Sequence, residues 1–305
     1  PGFKEGGTIM MKSKMLWTIV VILALFPIGV LLKGLLTLTS NGNGGTQSHG
    51  TLSQGLKAWK NTPVREMAVA VSNQETEKIQ QLAKAHPEWL NYQEPKTGVT
   101  LLIWAVGVEN FTSAEALLQC GADPNIATTA TGETALYVAA RYSWVDRQAK
   151  KDPKFVKLLL KHGANPNINY KGFKTTDGSH DITESGTSPL MRSIGCGIEK
   201  TRALVEGGAD INYKTFSGNT AAIDALMAGQ NATERGIEYA YYLIAVKKAR
   251  VTDPYYRRIV IPDVPNRTFY PVNLLRDWNP PQNSKGYQMK MEIVKEFQRQ
   301  GVKYP

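Results

Sequence analysis

The stretch "LLLKHGANPN", Leu158 to Asn167, joins a run of leucines directly to a glycine and an Asn-Pro-Asn turn. We expect a helix that buries its leucines to end where Gly163 takes the left-handed conformation, after which Asn-Pro-Asn bends the chain away. The same order of residues recurs as "LLQCGADPN" at Leu117 to Asn125 and as "LVEGGADIN" at Leu204 to Asn212. The chain therefore reuses one helix-and-turn unit.

A second motif recurs beside these turns. It reads "GVTLLIWA" from Gly98, "GETALYVAA" from Gly132, "GTSPLMRS" from Gly186 and "GNTAAIDAL" from Gly218. The hydroxyl residue two places after each glycine is expected to cap a first helix; these residues are Thr100, Thr134, Ser188 and Thr220. Their spacings are 34, 54 and 32 residues, so the middle repeat carries about 20 extra residues. Units of this kind bury their apolar faces only against stacked neighbours.

Together the two motifs resemble the ankyrin repeat, in which Gly-x-Thr-Pro-Leu opens a first helix and Leu-Leu-Leu-x-x-Gly-Ala-Asp-x-Asn closes a second. Four copies cover residues 98–131, 132–185, 186–217 and 218–250. The resemblance implies an all-α ankyrin-repeat solenoid of helix-turn-helix repeats with hairpin loops. Where the family usually has a His after Pro-Leu, the four copies have Ile103, Tyr137, Met191 and Ile223. We therefore expect apolar packing to replace the hydrogen bonds of that His.

The repeat pattern extends on both sides of these copies. Residues 64–97 are predicted to form an N-terminal capping repeat of two helices, the second of which ends before His86. Residues 251–305 are predicted to form a degenerate C-terminal repeat and cap. In that segment "VNLLRDW" from Val272 is expected to be a first helix, and a second helix is expected to stop at Gly301. The ankyrin-repeat domain is assigned to residues 61–250.

The N-terminal part of the chain has the features of a membrane anchor. Residues 15–38 contain an apolar span of about 23 residues, which is long enough to cross a bilayer. Three lysines precede it, so the positive-inside rule places residues 1–14 in the cytoplasm. Residues 39–60 are rich in Gly, Ser and Asn and are predicted to be a flexible tether. The expected location is the bacterial inner membrane, single-pass, with the repeats in the periplasm; a cleaved signal peptide is the alternative.

The net charge of +10 is concentrated at the two ends of the chain. Residues 247–305 carry twelve Lys or Arg against five Asp or Glu, whereas residues 41–246 are neutral. This distribution argues against nucleic acid as a partner, because basic residues would then be expected along the repeats. Cys120 and Cys196 lack partners at metal-ligand spacing and predict packed thiols, with a disulfide as the alternative. No metal, cofactor or small-molecule substrate is predicted.

The sequence does not predict an enzyme. Ser188 lies in "GTSPL", which lacks the second glycine of a nucleophile elbow, and its expected role is to open a helix. We therefore do not assign the nearby His180 and Asp181 to a catalytic set.

Two insertions are the predicted partner-binding surface. The first, "RYSWVDRQAKKD" from Arg141, lengthens the link between the two helices of its repeat, and the second follows Asn167 and runs to Gly186. The predicted contact residues are Arg141, Tyr142, Trp144, Arg147, Tyr170, Phe173, Asp177, His180, Asp181 and Arg192. A third segment, residues 253–271, is rich in Tyr, Phe and Arg and is expected to be partly core. The alternative for all three is that the insertions are tolerated surface loops and the aromatic residues pack on their own domain.

An anchor, a tether and a recognition array without catalytic residues are together similar to the ankyrin-type immunity proteins encoded beside phospholipase toxins of bacterial type VI secretion systems. The resemblance lies in architecture and implies a lipase-type toxin as the partner, blocked by occlusion of its active site. Two alternatives remain open. One is a general membrane-anchored scaffold for an unrelated protein partner, and the other is a peripheral binder of anionic lipid through the basic C-terminal segment.

Overall fold

A computed structural model of the protein describes residues 55–145, 151–172, 183–230, 234–256 and 268–304, all within one unit of the chain, residues 47–305. Its α-helices are α1 (Arg65–Asn73), α2 (Thr76–Ala85), α3 (Leu101–Gly107), α4 (Phe111–Gln119), α5 (Ala135–Ala140), α6 (Lys154–Lys161), α7 (Pro189–Ser193), α8 (Ile198–Glu206), α9 (Ala221–Gly229), α10 (Glu234–Ala240), α11 (Pro271–Arg276) and α12 (Lys285–Arg299). Short 3-10 helices lie at Gly55–Trp59 and Pro87–Trp89, and a π-helical turn, Tyr241–Val246, continues α10. Two short strands, β1 (Tyr255–Tyr256) and β2 (Thr268–Phe269), pair antiparallel.

The first helix of each clear repeat begins at the Thr or Ser that the sequence marks as its cap. In every case the side-chain oxygen accepts a hydrogen bond from the backbone N–H three residues later; the caps are Thr100, Thr134, Ser188 and Thr220. The bond satisfies a backbone donor that no helical carbonyl can reach, and it fixes where the helix starts. The predicted caps are thereby confirmed.

The helices stack in two layers because each buries its apolar side against the next repeat. The first helices α1, α3, α5, α7, α9 and α11 pack in series, and so do the second helices α2, α4, α6, α8, α10 and α12. We call these the first-helix layer and the second-helix layer. One continuous apolar core runs between them, from Trp59 at one end to Phe297 at the other. A continuous core of this kind is the expected result of stacking units that cannot fold alone.

The asparagine that ends each turn motif connects neighbouring repeats. Asn167 Oδ1 accepts a hydrogen bond of 2.8 Å from the backbone N–H of Asp210, and its Nδ2 donates one of 3.0 Å to the carbonyl of Gly208. The same Oδ1 contact with the next repeat is made by Asn91, Asn125 and Asn212. This ladder explains why the quoted motif ends in Asn: its amide offers both a donor and an acceptor at the loop.

Replacing Asn167 by alanine should lower the free energy of unfolding by about 1–2 kcal/mol, because two hydrogen bonds between repeats are lost from a solvent-accessible site. Urea denaturation followed by circular dichroism measures the change. Asn283→Ala is the control, since Asn283 is exposed and lies outside the ladder. Equal, negligible effects in both variants would show that the ladder does not hold the repeats together.

The C-terminal segment extends the stack. Trp278, which follows α11, is fully buried and its Nε1 donates a hydrogen bond of 3.1 Å to the carbonyl of Leu226 in α9. On α12 the carboxylate of Glu296 accepts hydrogen bonds from Arg299 and from Lys248 at the end of the preceding repeat. Hydrogen bonds from Arg299, Gln300 and Lys248 hold the pKa of that carboxyl at about 2. Helices α11 and α12 thus form a sixth helix pair.

Among the described residues, which begin at Gly55, no helix combines the length and the apolar character needed to cross a bilayer. The predicted anchor at residues 15–38 and most of the predicted tether lie outside the described residues. The structure corrects the last part of the tether, because Gly55–Trp59 is a 3-10 helix and Trp59 is buried in the core. Cys120 and Cys196 are free thiols. Cys196 is buried and Cys120 partly buried, and burial raises the pKa of both, as is usual for a thiol that packs as a small apolar side chain.

Candidate partner-binding surface

Arg141 connects the two ends of the buried helix α5. It follows α5 in the chain, and its side chain turns back so that Nη1 lies 2.8 Å from Oε1 of Glu133, which precedes the helix. Its guanidinium carbon is 5.8 Å from the ring centres of both Tyr137 and Trp144. A planar cation stacked beside two aromatic rings is an arrangement common at protein interfaces. Arg141 is therefore held in place while part of it stays accessible.

Trp144 and Tyr142 differ in how much of each side chain a partner can reach. The Trp144 ring packs on Gly107, at the end of α3 in the preceding repeat, where an added Cβ would lie 1.6 Å from the ring. Part of the Trp144 side chain is therefore buried in the contact between two repeats. Tyr142 is 44% exposed, and Val145 beside it is also exposed. Of the residues predicted in this insertion, Tyr142 offers the most open aromatic surface.

The structure corrects the prediction that Tyr170 lies on the contact surface. Its side chain is only 4% exposed and its ring is stacked on Tyr137, with ring centres 5.5 Å apart and planes 11° apart. Its backbone pairs with the next repeat through Thr187 and Gly186. The polar sequence around Tyr170 predicted a loop, but these contacts fold its ring inward. Arg147, Phe173, Asp177, His180 and Asp181 lie outside the described residues.

Lys200 is a buried lysine that the sequence motifs do not predict. It is the third residue of α8, 4% exposed, and its Nζ donates hydrogen bonds of 2.8 Å and 3.3 Å to the carbonyls of Ala139 and Arg141. These carbonyls lie at the C-terminal end of α5, where a cation is favourable. Burial lowers the pKa of Lys200. Its burial could have been predicted by comparing the same position in other second helices. The third residue of α4 is Ser113 and the third residue of α6 is Val156, and both are buried.

A small cavity lies where the first helices end and the second helices begin. It has a volume of about 200 Å³, and its lining includes Val138 and Phe155 together with Glu109, Asp152 and Lys200. Pockets for cofactors or drug-sized ligands are usually larger, about 300–1,000 Å³. The cavity therefore suits at most one side chain of a partner. Across the described ranges no cluster of three or more His, Cys, Asp or Glu is arranged to hold a metal ion.

Arg192 and Asp224 lie on the next two first helices, α7 and α9. Arg192 is partly buried, and its Nε makes no hydrogen bond in the described structure. Asp224 Oδ1 accepts a hydrogen bond of 2.9 Å from Asn219 Nδ2. Burial raises the pKa of Asp224 to about 6, although the Asn219 bond and the Arg192 charge act in the opposite direction. We call Arg141, Tyr142, Trp144, Arg192 and Asp224 the recognition face.

Asp224→Asn should raise the free energy of unfolding at pH 7.5 by on the order of 1 kcal/mol. The folded-state pKa is about 6, above the ordinary value of 3.8, so the charged carboxylate disfavours folding above pH 6. That penalty is relieved as the pH falls through 6, because the folded state then binds the proton more tightly than the unfolded chain. Urea denaturation at pH 7.5 and near pH 4 checks this: the gain should vanish at the lower pH. An equal gain at both values would mean that the charge is not the cause.

One family model and one relative agree with the repeat pattern in part of the chain. Residues 67–170 match the family model described as ankyrin repeats, in three copies. Residues 67–170 are therefore similar to ankyrin repeats. A protein of Treponema pallidum (strain Nichols) that is described as ankyrin repeat-containing is 33% identical over 119 residues, 39% of this chain and 36% of the relative, so the chain spans about a third of that protein's length. A crystal structure of EF0377, an ankyrin repeat protein, is similar over 78% of this chain and 99% of that chain, with 19% identity and a TM-score of 0.48.

The four clear repeats of this chain have apolar packing at the position where ankyrin repeats usually have a His, as the sequence predicts. The four residues at that position are all buried: Ile103, Tyr137, Met191 and Ile223. In each first helix the backbone N–H of this residue is the donor to the Thr or Ser cap. The cap is therefore kept while the side-chain network of the family is not.

Proposed function

We propose that the ankyrin repeats of this chain are a protein-binding module that acts through the recognition face. The observation that supports this most is the exposure of Tyr142, which follows the first helix α5 by two residues and is 44% exposed. Tyr and Arg are the residue types most often found to dominate interface energetics.

Site-specific photo-crosslinking tests this proposal. A photoreactive phenylalanine derivative at position 142 of the full chain, in cells of the source organism, should form one predominant protein adduct. The matched control places the same derivative at Lys157, which is exposed on α6 in the second-helix layer. An adduct at position 157 and none at position 142 would place the interface on the second-helix layer and contradict the proposal.

Tyr142→Ala should weaken binding of the crosslinked partner by roughly tenfold or more, because an aromatic anchor is removed. The melting temperature should stay nearly unchanged, since Tyr142 is an exposed residue. Trp144→Ala, in contrast, should lower the melting temperature as well, because its ring fills the space beside Gly107. Titration calorimetry and thermal denaturation separate the two effects. Full affinity in the Tyr142 variant would remove this residue from the interface.

The partner that we propose is a lipase-type toxin, and the chain would be its membrane-anchored immunity protein. The support is the layout of the sequence: an apolar span at residues 15–38, a tether at 39–60 and a binding array without predicted catalytic residues. Binding at the periplasmic side of the inner membrane would occlude the active site of the toxin. A strain lacking the chain should lose viability beside a toxin-producing sibling, and wild-type chain should restore it while the Tyr142→Ala variant should not. Unchanged survival would contradict the immunity role.

The two rival functions predict other outcomes. A general scaffold would give a crosslinked partner that is not a hydrolase, with no effect on survival beside a sibling. A peripheral lipid binder would bind anionic vesicles in a salt-sensitive way through residues 247–305. In that segment Lys248 and Arg299 already share the Glu296 carboxylate, which reduces the charge free to meet a headgroup.

A further inference from the structure

The cavity described above lies at the long link between the two helices of one repeat. Residues 141–153 connect α5 to α6, whereas residues 108–110 and 194–197 connect the helix pairs on either side. Tyr142 and Ser143 from the start of this link and Asp152 from its end line the cavity. Tyr142, Asp152 and the neighbouring lining residue Lys154 are exposed. The first predicted insertion therefore frames a cavity whose rim a partner can reach.

The inner part of the lining is apolar. Val106 near the end of α3 and Val138 and Ala139 near the end of α5 are all buried. Phe155 on α6 adds an aromatic ring, which meets the ring of Phe111 edge-on with ring centres 5.3 Å apart. An apolar cavity of about 150 Å³ is large enough for benzene. The volume of about 200 Å³ is therefore sufficient for one large apolar side chain.

The basic residues of the lining already have partners within the chain. Arg141 is in the ion pair with Glu133. Lys200 Nζ donates hydrogen bonds to two carbonyls at the end of α5. Lys154 Nζ lies 5.4 Å and 5.7 Å from the centres of two phenylalanine rings. A carboxylate that entered the cavity would have to compete with these contacts, and it would lose its hydration.

The acidic residues of the lining balance the remaining positive charge. Glu109 and Asp152 carry two negative charges beside the two positive charges of Lys154 and Lys200. Burial lowers the pKa of Lys200, and the charges of Glu109 and Asp152 act in the opposite direction. Asp152 Oδ1 also accepts a hydrogen bond of 2.9 Å from the Lys154 N–H. Because the lining has no excess charge to offset the desolvation of an ion, it favours an uncharged occupant.

Two exposed apolar side chains belong to the same link. Tyr142 lines the cavity, and Val145 follows it in the chain. In the part of the chain that the structure describes, they are two of the five large apolar residues that are exposed. Exposed apolar surface beside a concave apolar site is typical of a place where another molecule binds.

We propose that this cavity takes one large apolar side chain of the protein partner, a leucine, methionine or phenylalanine. That side chain lies against Val106, Val138 and Ala139, while Tyr142 and Val145 contact the partner around it. The inference rests on the proposed protein-binding function and specifies the anchor residue that the partner presents.

The test uses a displayed library of linear peptides, selected at pH 7.5 on detergent-solubilised full chain and counter-selected on the variant Ala139→Leu, in which the added methyl groups fill the cavity. We expect enriched peptides that share one Leu, Met or Phe. Replacing that residue by alanine should weaken binding roughly tenfold or more. NMR of the chain with labelled valine methyl groups should show contacts between this peptide side chain and Val106 and Val138.

Three further variants make the test specific for the cavity. Val106→Phe fills the cavity from α3 and replaces Ala139→Leu in the counter-selection if melting curves show that Ala139→Leu does not fold. Val138→Ala enlarges the cavity, so selection on it should move toward larger anchor residues. Ala228→Leu is the matched control, because Ala228 is a partly buried alanine of the first helix α9 and does not line the cavity. It should bind the selected peptides like the unmodified chain.

The proposal is overturned if no peptide distinguishes the chain from the filled variant, if the enriched peptides share a charged residue and no apolar one, or if the anchor residue can be replaced without loss of affinity. The partner crosslinked at position 142 separates this inference from the proposed function. If that partner binds Ala139→Leu as tightly as the unmodified chain, the protein-binding function stands and the cavity proposal fails. If peptides bind in the cavity but position 142 yields no adduct in cells, the proposed function fails and the cavity site stands.

Discussion

Trp278→Ala is expected to lower the free energy of unfolding by about 3–5 kcal/mol, the usual cost of emptying a site that held a large buried aromatic side chain. Trp278 is 0% exposed and its Nε1 bonds to the Leu226 carbonyl. Its ring lies so close to Gly229 that an added Cβ there would be 2.0 Å away. The substitution therefore creates a cavity between α9 and the C-terminal helix pair. Urea denaturation and calorimetry measure the loss.

The matched control is Trp89→Ala at the opposite end of the chain. Trp89 is only partly buried and stacks on His86 with ring centres 3.9 Å apart. Its removal should cost about 1–2 kcal/mol, because less apolar surface is uncovered. If Trp278→Ala costs no more than Trp89→Ala, then α11 and α12 do not belong to the cooperative unit, and the stack ends near residue 250.

Lys200→Ala should lower the free energy of unfolding by about 2–4 kcal/mol, since two carbonyls at the end of α5 lose their charged donor and a space opens beneath them. The carbonyls are those of Ala139 and Arg141. Because Arg141 and Tyr142 follow α5 directly, binding of the crosslinked partner should weaken too. Chemical denaturation and titration calorimetry give the two readouts.

Lys157→Ala supplies the comparison for Lys200, because Lys157 is an exposed lysine of the second-helix layer. It should change stability by less than about 0.5 kcal/mol. A Lys200 variant as stable as the Lys157 variant would contradict the view that Lys200 fastens the recognition face to the next repeat.

The sequence motifs predicted those parts of the fold that are determined by local backbone conformation and by helix capping. Gly163 has a φ of 83°, the left-handed conformation that the quoted stretch requires, and the Thr and Ser caps lie where the motif puts them. The same turn recurs after the π-helical turn that continues α10, but the sequence motif does not predict it, because Lys248, with a φ of 61°, occupies the glycine position. The Arg250 N–H still donates a hydrogen bond to Asn212, so the ladder of asparagine contacts between repeats continues through a turn that has no glycine.

The recognition face was less predictable because it depends on contacts between repeats. Tyr170 stands in a polar segment, yet its ring is buried against Tyr137 and its backbone pairs with the next repeat at Gly186 and Thr187. Arg192 and Asp224 come together only when two first helices are placed side by side. Both are the fourth residue after their caps, Ser188 and Thr220, so a register comparison of the repeats could have paired them. A comparison of sequences does not show that Arg192 Nε lacks a hydrogen-bond partner, because that property requires coordinates.

Hydrogen–deuterium exchange of the chain with and without its crosslinked partner tests most directly whether this protein binds through its first-helix layer. We predict that binding slows exchange at residues 141–145 and 192–193, and leaves residues 157–161 of α6 and 201–206 of α8 in the second-helix layer unchanged. Slower exchange confined to those parts of α6 and α8, with residues 141–145 unaffected, would contradict it.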